Sequence, residues 1–216
     1  MTPETRRRLL SSLVLLPLGI ALPWLPSPLF ALAILLIAGA GLSEWWRISR
    51  LPSGLPRISR RKWRTLGVAI LGLTAFSMVH LHAVTGARGV LILCVLVWVT
   101  DIAAYACGRR WGRHKLAPGI SPGKTWEGLI GAVLIAAPAT AGLYGVFYGW
   151  GAALPFLPIA AVAVLLAQGG DLMESKAKRI FAVKDSGRLI PGHGGVLDRV
   201  DGFLLAAPFL AVILPL

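Results

Sequence analysis

The chain has 216 residues, 56% of them hydrophobic and only 14% charged, with a formal net charge of +13. So little charge among so many apolar residues excludes an ordinary water-soluble domain and describes an integral membrane protein. The basic excess could suggest a nucleic-acid partner, but the arginines lie between apolar runs, where membrane orientation accounts for them and no nucleic acid is expected.

A bilayer core requires roughly 20 apolar residues per helix. In chain order the candidates are residues 9–24, 28–46, 65–83, 89–107, 127–149, 154–170 and 202–216. They predict an all-α polytopic membrane protein with about seven transmembrane helices, in a range of six to eight. The first run follows Arg6, Arg7 and Arg8 as a leader would, but no convincing cleavage site appears and the run is expected to stay in the membrane. Pro17, Pro23 and Pro26 predict that it bends and pairs with the second.

The loops test this reading, because lysine and arginine gather on the cytoplasmic side. Alternate loops hold 21 of the 22 basic residues, leaving only Arg88 in the other set. That split predicts a cytoplasmic N-terminus. Seven of the eight tryptophans, all but Trp98, fall near segment ends as interfacial anchors do. The same topology brings Glu4, Glu44, Asp101, Glu127, Asp171, Glu174, Asp185, Asp198 and Asp201 to the cytoplasmic face, where any chemistry must reside. Cys94 and Cys107 lie in one apolar stretch without zinc-like spacing and are expected to be packing residues.

Asp101 and Asp171 each stand toward the cytoplasmic end of an apolar helix. A carboxylate there is costly unless it is paired or bound to a cation, which marks both as functional candidates, against the simpler alternative of a helix-tying salt bridge. Asp171 and Glu174 are three apart, as are Asp198 and Asp201, so on a helix each pair shares a face. Converging carboxylates suit a hard cation such as Mg2+, which takes oxygen ligands. Lys176, Lys178, Arg179, Lys184, Arg188 and Arg199 interleave with them, as a metal-bound phosphate substrate requires. The glycines of "PGHGG" are expected to let backbone N–H groups approach phosphate oxygens.

"GISPGKT", Gly119 to Thr125, ends like a phosphate-binding P-loop, but Pro118 stands where glycine is needed and no strand is expected before it. Ser121, Lys124 and Thr125 remain candidate phosphate contacts. His80 and His82 are expected to pack or sit at the interface, and His114 has no evident partner.

The run from Ser175 to Asp201, "SKAKRIFAVKDSGRLIPGHGGVLDRVD", resembles the signature of phosphatidate cytidylyltransferases, also called CDP-diacylglycerol synthases. Upstream, "QGGDLMES" resembles the family's Q-x-G-D-x-x-E-S lead-in, "SPGKTWEG" its S-P-K-K-T-x-E-G loop, and "DIAAYACGRRWGRHKLAP" its D-x-x-A-Y-x-x-G-R stretch. The resemblance covers residues 98–216 and divides the chain into N-terminal membrane helices with a basic cytoplasmic loop, 1–64, and a catalytic membrane domain, 65–216. Four positions depart from the family: Gly123 replaces a usual lysine, Ile102 a common serine, Ala177 a larger aliphatic and Gly202 a frequent serine.

The resemblance implies transfer of a cytidylyl group from CTP to phosphatidic acid, giving CDP-diacylglycerol and pyrophosphate for phospholipid synthesis. Mg2+ is the implied cofactor, with Asp171 and Asp198 as leading ligands and Asp201 and Glu174 in support; Lys184 joins the aspartates as a catalytic candidate. Lys176, Lys178, Arg179 and Arg199 are expected to bind phosphates, and His193 to contact a phosphate or orient a ligand. CTP, phosphatidic acid and membrane lipids are the implied partners, a homodimer is left open, and a bacterial cytoplasmic membrane is the expected location. Two rival functions stay in view: the same chemistry on another lipid phosphate, and an ion-coupled transporter. A CDP-alcohol phosphotransferase is excluded, because "FLLAA" follows Asp201 and Gly202 where that family's motif would continue.

Overall fold

A computed structural model describes residues 13, 17–51, 57–190, 192 and 194–214. After a 3-10 turn at Leu22–Trp24 come five long helices: α1 (Ser27–Ile48), α2 (Arg57–Thr85), α3 (Ala87–Trp111), α4 (Trp126–Tyr148) and α5 (Trp150–Ile180). A single turn, α6 (Leu197–Val200), and a short helix, α7 (Phe203–Ile213), close the order. Between α3 and α4 two short strands, β1 (Lys115–Ala117) and β2 (Ser121–Thr125), pair antiparallel.

All five long helices are apolar and long enough to cross a bilayer, so the chain is an all-α polytopic membrane protein. Of the last expected segment, 202–216, the structure describes residues 202–214. Its helix has 11 residues and rises about 16 Å, half the hydrocarbon thickness. It packs against α2 and α5 inside the bundle. Seven of the sixteen residues of the expected first segment, 9–24, lie outside the described residues. The helices also overrun the apolar runs that announced them: α2 starts at Arg57 and α5 ends at Ile180. The expected division between residues 64 and 65 falls within α2.

Glycines with positive φ, Gly86 at 63° and Gly149 at 99°, join α2 to α3 and α4 to α5 in reversals of a single residue. The ends of α1, α3 and α5 and the starts of α2 and α4 therefore share the opposite end of the bundle. Helices α3 and α4 approach closely because small residues face each other. A Cβ at Gly128 would lie 2.7 Å from the Ala104 carbonyl oxygen and 3.3 Å from Gly108 Cα, and one at Gly131 would run into Cys107 Sγ. Both cysteines are buried and unpaired, as expected.

One long-range anchor fixes the connection between α5 and α7. Glu44, near the end of α1, is 2% exposed. Its carboxylate accepts hydrogen bonds from Ser186 Oγ (2.9 Å), Val196 N–H (3.1 Å) and Leu197 N–H (2.9 Å). Beside it, Arg47 Nη2 donates to the Ser186 carbonyl at 2.8 Å. A Cβ on Gly187 or Gly195 would strike the Glu44 carboxylate.

Two outcomes follow from this packing. Gly128→Val should lower the melting midpoint in detergent, overpacking of this kind costing about 1–3 kcal/mol, whereas Gly142→Ala, whose Cβ meets nothing within 4 Å, should not lower it. Glu44→Ala strands three buried or half-buried donors, each costing about 1–3 kcal/mol, so limited proteolysis should cut between residues 181 and 202 much faster than in the parent protein.

Candidate active site

The last turns of α5 carry Asp171, Glu174 and Lys178, spaced three and four apart and so on one face. That face meets Asp201, which follows α6, because Gly170 lets the helix backbone close on the Asp201 carbonyl; a Cβ at Gly170 would collide with it. One oxygen each from Asp171, Glu174 and Asp201 lie within 4.8 Å of one another.

Two ammonium groups enter this cluster. Lys124 Nζ, from β2, is 2.7 Å from both Asp171 Oδ2 and Gln168 Oε1. Lys178 Nζ lies 2.5 Å from Glu174 Oε2 and 2.7 Å from Asp198 Oδ1. Glu174 Oε2 is thus paired with the Lys178 ammonium, while Oε1 is buried without a hydrogen-bond donor among the described residues. Burial first, then the neighbouring carboxylates of Asp171 and Asp101, push the Asp201 carboxyl up to about 7. Four carboxylates, those of Asp171, Glu174, Asp198 and Asp201, thus face two ammonium groups.

Asp198 plays a different part from the other three. Its oxygens accept from Lys178 Nζ, from Ser186 N–H (2.9 Å to Oδ2) and from Gly195 N–H (2.8 Å). Burial alone would raise its pKa, but the Lys178 ammonium and these N–H groups outweigh burial and hold it below the usual carboxylate range. The glycine-rich segment is therefore occupied differently from the expectation. Among the described residues, the N–H groups of Ser186, Gly195, Val196 and Leu197 point at the protein's own carboxylates, Asp198 and Glu44, rather than at an open phosphate cradle.

The remaining predicted residues are dispersed around the cluster. Thr125 Oγ1 accepts from Gly128 N–H at 3.1 Å and caps α4. Ser121 begins β2 and is half-buried. Arg179 Nε donates to the Ile120 carbonyl at 3.1 Å, tying α5 to the hairpin. Lys176, Lys184 and Arg199 are exposed, as is Asp101 near the end of α3. His193 lies outside the described residues.

Three smaller expectations change. A strand, β1, does precede the P-loop-like stretch, but that stretch is itself the second strand of the hairpin, so no phosphate loop forms there. His114 has a partner, with Nδ1 2.6 Å from Glu127 Oε1. His82 packs as expected, stacked on Phe30 with Nε2 3.0 Å from the Pro23 carbonyl oxygen. Of the four departures, Gly123 is exposed and a Cβ there meets nothing within 4 Å, whereas a Cβ at Gly202 would lie 2.7 Å from Val97 Cγ1.

Glu44 is the residue that sequence reasoning left without a role. The available signal was an acid at the end of an apolar run, the same sign that singled out Asp101 and Asp171.

The constellation can be compared with known proteins. A family model described as the cytidylyltransferase family matches residues 54–216. A protein named phosphatidate cytidylyltransferase from Brucella suis biovar 1 (strain 1330) is 45% identical over 158 residues, which cover 70% of this chain and 57% of that protein. A protein of the same name from Staphylococcus saprophyticus is 41% identical over 150 residues, 69% of this chain and 57% of its own length. This chain thus spans little more than half the length of those relatives. One from Rickettsia felis is 36% identical over 220 residues, covering 95% of this chain and 90% of its own. The family match takes in α2 to α7, the hairpin and the carboxylate cluster together, and the chain belongs to the cytidylyltransferase family.

Proposed function

We propose that the protein transfers a cytidylyl group from CTP to phosphatidic acid, releasing pyrophosphate and forming CDP-diacylglycerol. The observation that carries this reading is the excess of carboxylate over ammonium at one end of a membrane bundle, where a lipid headgroup and a soluble nucleotide can meet. Family membership and the relatives' names support the same assignment.

The donor set suits Mg2+, a hard cation that takes carboxylate oxygens. Glu174 Oε1 is buried without a donor among the described residues, and the three-carboxylate group carries like charges that a divalent ion would relieve. Asp171, Glu174 and Asp201 would hold it. When bound, such an ion supplies charge neutralisation for the triphosphate and the departing pyrophosphate.

The chain's own groups do the rest. An oxygen of the lipid phosphate attacks the α-phosphorus of CTP; the bond to the β-phosphate oxygen breaks and its electron pair leaves with pyrophosphate. A phosphomonoester, with a second pKa of about 6, is largely ionised at neutral pH, so no strong general base is needed. Lys124 and Lys178 each have further N–H donors to offer phosphate oxygens, and Asp198 holds Lys178 in place. Lys176, Arg179, Lys184, Arg199 and Ser121 form the rim that receives the remaining phosphate charge, with His193 proposed for the same task. The concentration of basic residues in alternate loops supports a site on the cytoplasmic side of the membrane.

The purified protein should convert labelled CTP and phosphatidic acid into labelled lipid and should lose that activity on chelation of Mg2+. Asp171→Asn should lower kcat by more than about 100-fold, beyond the 10–100-fold typical of groups that merely support a ligand. Lipid-free label in every condition would reject the reading, and solute uptake into liposomes would replace it with transport.

Carboxylate crowding has a separate consequence for stability. An acid whose folded pKa is raised disfavours folding increasingly as pH climbs above its unfolded value, about 3.9, and fully above its folded value. In chelator-treated protein Asp201 should therefore cost stability progressively from about pH 4 to about pH 7. Asp201→Asn should raise the melting midpoint at pH 7 relative to the parent while abolishing turnover; an equal or lower midpoint at pH 7 would contradict this.

A further inference from the structure

A second charged feature lies at the same end of the bundle, between the end of α1 and the start of α2. It is an open groove of about 710 Å3 lined by Trp46, Arg60, Arg61 and Arg64, and one to two turns further along α2 by Val68 and Ala69. Trp45 packs inward with Leu71, Ala177 and Leu197. Trp46, the next residue along α1, faces the groove and is 41% exposed, as is Val68. The groove is thereby separated from the carboxylate cluster by an apolar layer.

Among the described residues its charge has no internal counterpart. From Trp45 to Thr100 the sequence contains no acidic residue, and Glu44 is committed to the Ser186 hydroxyl and two backbone N–H groups. Among the described residues, no salt bridge reaches Arg60, Arg61 or Arg64. Arg64 is held in place, with Nε 3.0 Å from Ser49 Oγ, Nη2 3.1 Å from the Ser49 carbonyl oxygen and its guanidinium 5.3 Å from the Trp46 ring. Arg50 lies 5.5 Å from the same ring. Among the described residues, the Nε of Arg60 is buried without a hydrogen-bond partner. Guanidinium groups present planar donor forks that fit phosphate oxygens. Here they stand at the level of the interfacial tryptophan, and the apolar stretch of α2 begins immediately beyond them.

We propose that this groove is a site for an anionic phospholipid, distinct from the catalytic cluster. Arg60, Arg61 and Arg64 take the lipid phosphate, and the acyl chains run along Val68 and Ala69. Basic pockets between membrane helices hold anionic headgroups in this way, and a zwitterionic lipid would bring its own cation against the arginines. The inference does not rest on the reaction proposed above, and its test involves neither CTP nor turnover.

Native mass spectrometry of the full chain in detergent, titrated with phosphatidylglycerol, phosphatidylcholine or inorganic phosphate, provides the test. Phosphatidylglycerol should be retained and phosphatidylcholine should not. The double variant R60Q/R61Q should weaken phosphatidylglycerol binding by about 30-fold, the expected effect of removing two cations near a membrane surface. R109Q/R110Q removes the same charge from the exposed end of α3, outside the groove, and should leave binding unchanged. Val68→Trp keeps every cation but fills the groove, and should also release the lipid; it serves if R60Q/R61Q does not fold. Equal retention of phosphatidylcholine, or equal losses in R60Q/R61Q and R109Q/R110Q, would overturn the proposal. Displacement of the lipid by millimolar inorganic phosphate would overturn it too, leaving a free-phosphate site.

Discussion

The Lys178 ammonium, placed between Glu174 and Asp198, is the interaction on which the rest of the site depends. Lys178 and Glu174 belong to the end of α5, Asp198 to the turn α6 that follows a loop of 16 residues. Removing such charges from water is expensive, and their mutual attraction offsets the expense only when geometry and additional hydrogen bonds are good. Asp198 meets that condition, because two backbone N–H groups join the ammonium at its oxygens. Glu174 does not, since no backbone N–H joins the ammonium at its carboxylate and Oε1 has no donor among the described residues. The imbalance lies toward Asp171 and Asp201, where a cation would complete it.

The loop between α5 and α6 has no regular structure to satisfy its backbone, and buried N–H groups must find acceptors somewhere. Two carboxylates supply them. Asp198 gathers Ser186 and Gly195 from within the loop, and Glu44 gathers Ser186, Val196 and Leu197 from a helix some 140 residues away. The glycines at 187 and 195 are small because these carboxylates occupy the space a side chain would need. A charge-rich segment that reads as a solvated loop is therefore wrapped around acids of its own chain.

Much of the architecture was legible because a membrane imposes a simple rule: long apolar runs become helices. The rule fails at helix ends. It stopped α5 at residue 170, where hydropathy drops, although Asp171, Glu174 and Lys178 continue the helix with side chains that meet on one face. It drew the last segment over 202–216, where the described helix α7 has 11 residues and packs against α2 and α5. The hairpin at 115–125 escaped notice since its strands are too short to show a period. Within the site, spacing grouped Asp171 with Glu174 correctly, but it paired Asp198 with Asp201, which serve different neighbours. Local spacing cannot reveal that α6 is a single turn whose surroundings differ on each side. Nor could it join Glu44 to Ser186, a contact made only when the bundle closes.

The length of α5 links membrane and chemistry. Its 31 residues rise about 46 Å, against about 30 Å of hydrocarbon. The excess is close to the stretch from Asp171 to Ile180, so the helix that anchors the site in the lipid also lifts the carboxylates toward water. Helix α2 does the reverse: its first turns carry arginines at the headgroup level and its remainder enters the apolar layer. One helix thus presents anionic groups that attract cations, and a neighbouring pair presents cationic groups that attract anions. Both sit at one end of the bundle, and the apolar layer around Trp45, Ala177 and Leu197 keeps arginines and carboxylates from neutralising each other. Were that layer replaced by a polar gap, the two sets would pair internally, and neither would be free to bind a charged ligand.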